Sequence, residues 1–308
     1  MDQKDVSRQL KEQAIIEGFA VAAIASIPGS SRINLRTKAL ERWLENDFHS
    51  DMKWMEANRR KNIETLLVDA KSVLTVGYSY LSEKNQKNPI LKIGKFGQGS
   101  DYHKVITKKL KKIGSWLKNK VPDCEFKLCV DTSPLLEKAW AEEAGLGWIG
   151  KNSNLINKQY GSWLTLGFIV LNKELSPDNP SDSLCGKCEK CIDYCPTNAI
   201  AEPFVINSEL CIAYHTIENR DLSLPENITE NLNGWIAGCD ICQDVCPWNQ
   251  SVPKNNTPDV ETKEWINKLD KSSLTWSDEE WKKKIKGTTL NRIKPWMWKR
   301  NIKAAIGK

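Results

Sequence analysis

The sequence lacks any long hydrophobic run. No stretch approaches the ~18 apolar residues of a membrane-spanning helix, and the opening MDQKDVSRQLKEQ has no apolar segment typical of secretion signals. Internal repeats and low-complexity tracts are also absent. These absences favour a protein of the reduced cytoplasm without membrane association, in which cysteines are not expected to pair as disulfides. With 308 residues, the chain has room for about two domains.

Cysteine, in contrast, is abundant: seven of the ten cysteines fall in two motifs, and an eighth, Cys211, lies between the two. The first motif has the spacing C-x2-C-x2-C-x3-C-P, which bacterial ferredoxins use to hold a 4Fe-4S cluster. Its members are Cys185, Cys188, Cys191, Cys195 and Pro196. The second motif is incomplete, with Cys239, Cys242, Cys246 and Pro247 in place but Ile236 where a cysteine is expected. Cys211 is the obvious replacement.

Two-cluster ferredoxins exchange one ligand between their motifs, because the last cysteine of each run points towards the other cluster. By this logic we expect one cluster on Cys185, Cys188, Cys191 and Cys246. The other cluster is expected on Cys195, Cys211, Cys239 and Cys242. Two zinc knuckles are the alternative, since C-x2-C pairs also suit tetrahedral zinc, but zinc gives no reason for two C-P endings. Cys124 and Cys129 lie outside both motifs and are interpreted as ordinary thiols.

Positive charge is concentrated near the end of the sequence. The net charge is +6, and the stretch from Trp281 to Lys308 has ten Lys or Arg and no Asp or Glu. Basic residues with exposed aromatic side chains suit a nucleic-acid backbone and its bases. Alternatively, the tryptophans pack the last helix on the core. A second basic run, Lys104 to Lys120, is either a binding surface or the solvated face of an amphipathic helix, whose apolar face carries Val105, Leu110, Ile113 and Leu117.

Helix and strand patterns alternate over the first part of the chain, which predicts an α+β or α/β fold. Helices are expected around Val6, Leu10 and Ala14 and near 37–45, 102–119, 133–145, 259–269 and 276–286. The helix at 133–145 is expected to have Ser133 as N-cap and Pro134 at the first helical position. Strands are expected near 19–27, 73–80, 126–130 and 163–171. A turn-rich linker begins at Ser176. We therefore predict an N-terminal catalytic domain (1–175), a ferredoxin-like domain (176–252) and a basic helical C-terminal segment (253–308) that packs on the core.

Two glycine-rich stretches are candidates for cofactor contact. The stretch Gly145-Leu-Gly147-Trp-Ile-Gly150 has the spacing of a dinucleotide-binding loop, but it follows a predicted helix rather than a strand, which excludes that interpretation. The stretch from Lys95 to His103 is more suggestive, because its glycines let the backbone approach a flat ligand.

Five separated segments carry a resemblance to a known family: GSDYHKVI from Gly99, VDTSP from Val130, GLGWIGKNS from Gly145, CIAYHTIE from Cys211 and GCDICQDVCPWN from Gly238. Together with Lys299-Arg300-Asn301-Ile302 they resemble epoxyqueuosine reductase in its short form, without a C-terminal helical-repeat domain. The likeness covers almost the whole chain.

The resemblance implies a cobalamin-dependent oxidoreductase. Such an enzyme reduces the epoxide of epoxyqueuosine at the wobble position of tRNA to queuosine, the last step of queuosine biosynthesis. Two 4Fe-4S clusters are then expected to pass electrons from an external low-potential donor to cobalamin, which cycles through Co(I). We expect a monomer, with the basic tail as the tRNA surface. The alternatives are a reductive dehalogenase and a two-cluster electron carrier.

The resemblance also implies site residues. Asp131 matches the proton donor of the family, and we expect burial beneath the corrin to raise its pKa so that it keeps a proton; the alternative is a cap for the following helix. Cobalamin contacts are expected from Arg60, Tyr102, Asp131, Lys151, Asn152, Ser153, Leu155, Leu166 and Asp240, with Arg59 an alternative to Arg60. No histidine lies in the pattern that supplies a cobalt ligand, so base-off cobalamin is expected. Ala213 and Phe168 depart from the family pattern.

Overall fold

Four antiparallel strands form the central sheet of the computed structural model, which describes residues 2–86 and 89–307. The order across the sheet is β1-β2-β7-β4. The strands of the chain are β1 (Val21–Ser26), β2 (Ser72–Ser79), β3 (Lys92–Ile93), β4 (Phe126–Cys129), β5 (Trp148–Ile149), β6 (Leu155–Ile156), β7 (Leu164–Leu171), β8 (Ile200–Glu202), β9 (Val205–Ile206) and β10 (Trp235–Ala237). All pairings in the central sheet are antiparallel, which places the fold in the α+β half of the predicted class.

The helices are α1 (Gln3–Ile16), α2 (Ser31–Glu45), α3 (Tyr102–Lys120), α4 (Glu137–Glu143), α5 (Lys190–Asp193), α6 (Ile212–Ile217), α7 (Glu226–Asn231), α8 (Ile241–Asp244), α9 (Glu264–Asn267), α10 (Asp278–Ile285) and α11 (Pro295–Ile306). Three short 3-10 turns, Lys53–Glu56, Asn58–Lys61 and Ile63–Thr65, connect α2 to β2. No helix in the described ranges is long and apolar enough to cross a membrane.

Both faces of the central sheet are covered. Strand β2 is buried along its whole length, and its successive side chains point to opposite faces. Leu74 and Val76 join the core beneath α1 and α3, whereas Val73 joins a second core with Trp140 of α4. This three-layer arrangement places the end of β4, the start of β7 and the start of α4 beside one another, and these segments form one wall of the main cavity.

The C-terminal segment packs against the cluster-bearing segment. Strand β10 pairs in parallel with β3, and α11 lies on β10 through a core that contains Ile236, Trp281 and Trp298. Trp281 and Trp298 are therefore core residues, whereas Trp296 is exposed. The lysines of α3 lie on its solvent side, since its buried positions are Ile106, Leu110, Ile113, Gly114 and Leu117.

Two predicted helices differ from the structure. The helix expected from Ser133 begins at Glu137, because residues 131–135 form a bent loop instead. Ser133 is therefore not its N-cap. In the segment expected to be helical near 259–269, only Glu264–Asn267 is an α-helix. The division into domains stays a prediction.

Candidate active site and cluster sites

A cavity of about 650 Å³ opens between the end of the central sheet and the cluster-bearing segment. Its apolar lining includes Leu135, Leu136, Leu155, Leu164 and Leu166. The opposite wall contains Cys211, Ala213, Gly238, Cys239, Asp240 and Cys242. Gly238 has a φ of +82°, a backbone conformation that residues with a side chain rarely adopt, and a Cβ atom there would lie 2.9 Å from the Phe96 ring. The wall therefore keeps its backbone bare at this point.

Asp131 lies at one end of this cavity, directly after β4, and its side chain is 53% exposed. Its Oδ2 accepts hydrogen bonds from the Tyr102 hydroxyl at 3.1 Å and is 2.8 Å from His103 Nε2. The other ring nitrogen of His103 lies 2.8 Å from Asp101 Oδ1. The imidazole thus bridges two carboxylates.

The protonation of this group differs from the sequence-based expectation. Burial acts to raise the pKa of Asp131, but the His103 hydrogen bond, the His103 charge, Tyr102 and Arg60 outweigh it, so the pKa of Asp131 is lowered. Among the protein's own groups the pKa shift of Asp131 is therefore downward, opposite to the upward shift expected beneath a corrin. Burial acts to lower the pKa of His103, yet Asp131 and Asp101 raise it above the ordinary value. The pair favours a proton on the imidazole and an ionised Asp131.

A half-buried carboxyl group lies beside the Asp131 backbone. Glu137 Oε1 accepts a hydrogen bond from the Asp131 amide at 2.5 Å. Burial, together with the charge of Asp131, raises the pKa of Glu137 to about 8. The neighbouring Lys138 Nζ donates to the Ser153 carbonyl at 2.8 Å, and burial lowers its pKa. Helix α4 therefore brings both a carboxyl and an amine to the cavity wall at its first turn.

The polar side chains of the cavity are held by backbone partners. Asp240 is 2% exposed, and its Oδ2 accepts from the Lys95 amide at 2.8 Å. Asn152 is 4% exposed and donates to the Cys242 carbonyl at 3.2 Å. Ser153, at φ 59, donates to the Phe204 carbonyl at 2.7 Å. These bonds fix the positions of the three side chains before any ligand binds.

Arg60 is the arginine that reaches the cavity. It is 9% exposed, its guanidinium lies 4.9 Å from the centre of the Trp54 ring, and burial lowers its pKa. Trp54 and Arg60 both line the cavity, whereas Arg59 does not. The geometry therefore favours Arg60 over the alternative.

Most of the residues expected to contact a cofactor converge on this cavity. Arg60, Tyr102, Asp131, Asn152, Ser153, Leu155, Leu166 and Asp240 all line it. Lys151 lies elsewhere: it borders the smaller cavity described next, and its Nζ pairs with Glu189 at 3.1 Å. Of the two departures from the family pattern, Ala213 lines the main cavity, but Phe168 is fully buried in the sheet core.

The smaller cavity, of about 220 Å³, is bordered by one set of thiols. These are Cys185, Cys188, Cys191 and Cys246, the set expected for the first cluster. Cys188 is exposed and Cys246 is buried. Burial and the neighbouring Cys246 and Cys185 raise the pKa of Cys191 to about 11, so bound iron is needed to favour its thiolate form.

The second set of thiols, Cys195, Cys211, Cys239 and Cys242, lies beside the main cavity. Cys195 is near enough to Cys211, Cys239 and Cys242 for its charge to act on the pKa of each, although burial is the largest cause of their upward shifts. Cys211, Cys239 and Cys242 line the main cavity. Among the described residues no His, Cys, Asp and Glu group meets the geometry of a single metal ion. The ligand-by-ligand assignment stays a prediction.

Two residues of the site were not expected from sequence. His103 belongs to the glycine-rich stretch, but its bond to Asp131 joins α3 to the end of β4 and depends on the tertiary fold. Glu137 falls inside a predicted helix, and nothing in the helical pattern separates it from an ordinary surface glutamate.

Comparison with known proteins decides the family. A model described as 4Fe-4S double cluster binding domain matches residues 184–249, which confirms the iron–sulfur expectation, and a model described as Epoxyqueuosine reductase QueG matches residues 60–132. The curated epoxyqueuosine reductase of Prochlorococcus marinus (strain NATL2A) is 52% identical over 300 residues, 97% of this chain and 96% of that protein. The chain belongs to the epoxyqueuosine reductase family.

Solved structures of epoxyqueuosine reductase share the fold. One, with a tRNA-Tyr epoxyqueuosine-modified stem loop, has a TM-score of 0.87 and 28% identity, and the match covers 98% of this chain and 81% of that one. Another, from Bacillus subtilis, has its catalytic aspartate loop swung out of the active site; its TM-score is 0.89 and its identity 26%, with the same coverage. The resemblance expected from sequence is confirmed.

Proposed function

We propose that this protein reduces the epoxide of epoxyqueuosine at the wobble position of tRNA to queuosine. The observation that carries the proposal is that one cavity is bordered both by Asp131 and by the thiols Cys211, Cys239 and Cys242. A proton source and an electron source therefore face the same space. Removal of an epoxide oxygen as water consumes both electrons and protons, and the cavity suits that chemistry. Since tRNA is the substrate, a cytoplasmic location is part of the proposal.

The residues of the main cavity fit cobalamin. Ligand pockets typically have volumes of ~300–1,000 Å³ with mostly apolar lining and a few fixed polar groups, and this cavity of about 650 Å³ has both. Leu155, Leu166 and the bare backbone at Gly238 would lie against a flat ring, while Asn152 and Asp240 would hold its polar substituents. Cobalamin, base-off and reduced to Co(I), would supply the low-potential nucleophile for the epoxide.

The chain itself supplies the proton. An aspartate with a lowered pKa is by itself a poor proton donor at neutral pH. Asp131, however, is hydrogen-bonded to the His103 imidazole, whose pKa is raised. Strongly interacting groups titrate as a pair, so the Asp131–His103 pair holds one proton at the cavity end. Tyr102 donates to the same carboxylate oxygen at 3.1 Å and orients it. In this proposal the pair protonates the departing epoxide oxygen.

The two thiol sets form an electron path from the surface to the cavity. The set with Cys188 is nearer to solvent, since that cysteine is exposed. The set with Cys239 and Cys242 borders the main cavity. An external low-potential donor would therefore reduce the first cluster, and the second cluster would pass electrons inward.

The test is an anaerobic assay with epoxyqueuosine-containing tRNA, cobalamin, reconstituted clusters and a chemical reductant, with queuosine measured after digestion of the tRNA. The wild-type protein should form queuosine. Asp131→Ala should keep cobalamin and both clusters but lose about 10²–10⁴-fold in rate, the usual contribution of a positioned acid. Glu143→Gln, a change in the same region away from the cavity, is the matched control.

Failure of the wild-type protein to form queuosine would contradict the function. Turnover of a small halogenated substrate would indicate a dehalogenase instead, and iron–sulfur absorption without cobalamin uptake would indicate an electron carrier. An Asp131→Ala variant with wild-type rate would leave the reaction intact and exclude only the acid.

A further inference from the structure

The loop that carries Asp131 has an unusual backbone conformation. It connects β4 to α4, and Asp131 adopts φ 50, in the left-handed region. Residues other than glycine populate that region infrequently, at a cost of order 1–3 kcal/mol unless the surroundings impose it. Some contact must therefore hold Asp131 in this conformation, in which its carboxylate meets Tyr102 and His103.

Glu137 makes that contact. Its Oε1 accepts from the Asp131 amide at 2.5 Å, across the loop from the first turn of α4. The titratable groups whose charges act on or are acted on by Glu137 are Asp131, Lys138, Arg60, Tyr102 and Cys129. In the described part of the chain no ion pair joins Glu137 to a cation, because Lys138 donates to the Ser153 carbonyl instead.

We propose that Glu137 is a positioning residue: its carboxyl oxygen binds the Asp131 amide and so keeps the Asp131 carboxylate turned towards His103 and the cavity. This inference rests on the proposed function only in the role it gives Asp131. Desolvation and the charge of Asp131 raise the pKa of Glu137, which lessens the negative charge that this carboxyl places beside Asp131.

The same helix offers a matched control. Glu143, 7% exposed, also accepts a backbone amide, that of Ser30, at 2.7 Å. It does not border the cavity. Replacement of Glu143 removes a buried carboxylate-to-amide bond of the same kind from α4, but leaves the Asp131 loop untouched.

Three variants test the proposal. Glu137→Met removes the acceptor but keeps the chain length, Glu137→Gln keeps an acceptor oxygen, and Glu143→Met is the control. In anaerobic single-turnover assays with saturating modified tRNA, Glu137→Met should be at least about tenfold slower with tRNA affinity unchanged. Glu137→Gln should recover most of that rate, and Glu143→Met should match wild type. In an Asp131→Ala background, Glu137→Met should cause no further loss, because residues that act as a unit are not additive.

Hydrogen exchange gives a readout that is independent of catalysis. The Asp131 amide should exchange about tenfold faster in Glu137→Met than in wild type, as expected for loss of the one acceptor it has among the described residues, and at the wild-type rate in Glu143→Met. Unchanged exchange at Asp131, equal rates for the Gln and Met variants, or a further loss in the Asp131→Ala background would each overturn the proposal. Wild-type rate in Asp131→Ala alone would instead exclude the acid role of Asp131, whereas the exchange result would still decide whether Glu137 holds the loop.

Discussion

At the scale of single residues, the site depends on a few carboxyl groups in different surroundings. Asp101 and Asp131 both bind His103, at 2.8 Å from opposite ring nitrogens. Glu137, six residues along the chain from Asp131 and half-buried, has its pKa raised to about 8. Groups whose environments move their pKa values apart mark the acid and base positions of a site. Here the His103 imidazole, whose pKa is raised, and the ionised Asp131 together hold one proton.

The His103 shift predicts a pH dependence. Since the pKa of His103 is raised above 6.5, the imidazole stays protonated at low pH and loses its proton as pH rises through the shifted value. The single-turnover rate of prereduced enzyme should therefore be constant at low pH and fall on a limb that lies above pH 6.5. His103→Gln should be slow and lack that limb.

His49→Gln is the control for this measurement, because His49 Nε2 also contacts a carboxylate, Glu56, at 3.0 Å but does not border the cavity. It should keep the limb of the wild-type profile. A limb that persists unchanged in His103→Gln would place the titrating group elsewhere.

At the scale of elements, helix α11 joins the two chain segments that carry Cys211 and Cys239. Asn301 is fully buried and donates to the carbonyls of Thr216 and Ile236 at 2.8 and 2.9 Å. The Thr216 hydroxyl accepts from the Gly238 amide at 2.9 Å. Thus α11 stabilises the segment after Cys211 and the segment before Cys239 together. Arg300, expected to belong to a tRNA surface, is buried and bonds to carbonyls of His215, Asn219 and Asp221.

Removal of the Asn301 side chain should therefore destabilise the protein. Asn301→Ala leaves two buried carbonyls without donors, at about 1–3 kcal/mol each, and each kcal/mol lowers the Tm of a chain this size by roughly 2–4 °C. Thermal unfolding measures the effect. Lys303→Ala, an exposed position on the same helix, should stay within about 0.5 kcal/mol of wild type; a similar loss in both variants would refute the specific role of Asn301.

Element boundaries show where sequence patterns suffice. The apolar periodicity of α3 predicted Val105, Leu110, Ile113 and Leu117 as its apolar face. The last three are buried and Val105 is partly buried in the same core, because that helix packs on β7 and β4. The Ser133-Pro134 signal failed because the local cap competes with a tertiary contact: the Asp131 amide bonds to Glu137, and the chain stays a loop until that residue. A local pattern cannot register such a contact.

At the scale of the whole molecule, the spacing of the cysteines predicted which residues come together better than any other sequence pattern did. Turn geometry holds Cys185, Cys188 and Cys191 together locally, and the structure adds Cys246 to them across the chain. The main cavity could not be derived in the same way, since its walls come from residues as distant as Arg60 and Gln243. Only the family resemblance assembled that set, and it placed Lys151 in it although Lys151 borders the other cavity.

Positive charge near the cavity predicts where tRNA lies. The loop after α10 contacts the start of α3, next to His103, since the Asp101 amide donates to the Gly287 carbonyl at 2.8 Å. Arg292, bonded to Glu218, is near enough to Asp131 for that charge to contribute to its raised pKa. Lys283 and Lys286 are exposed on the same stretch. A polyanion whose modified base enters the cavity would pass over these lysines.

Lys283→Ala with Lys286→Ala should therefore weaken tRNA binding and reduce the slope of log affinity against log salt. A protein that makes fewer phosphate contacts releases fewer counterions when it binds. The expected reduction is about 0.7–0.9 per lost contact. Binding titrations at several salt concentrations measure it. Lys108→Ala with Lys111→Ala removes the same charge from the exposed side of α3, and its slope should equal that of wild type. If both double variants reduce the slope equally, net charge rather than this surface determines binding, and the location proposed for tRNA is wrong.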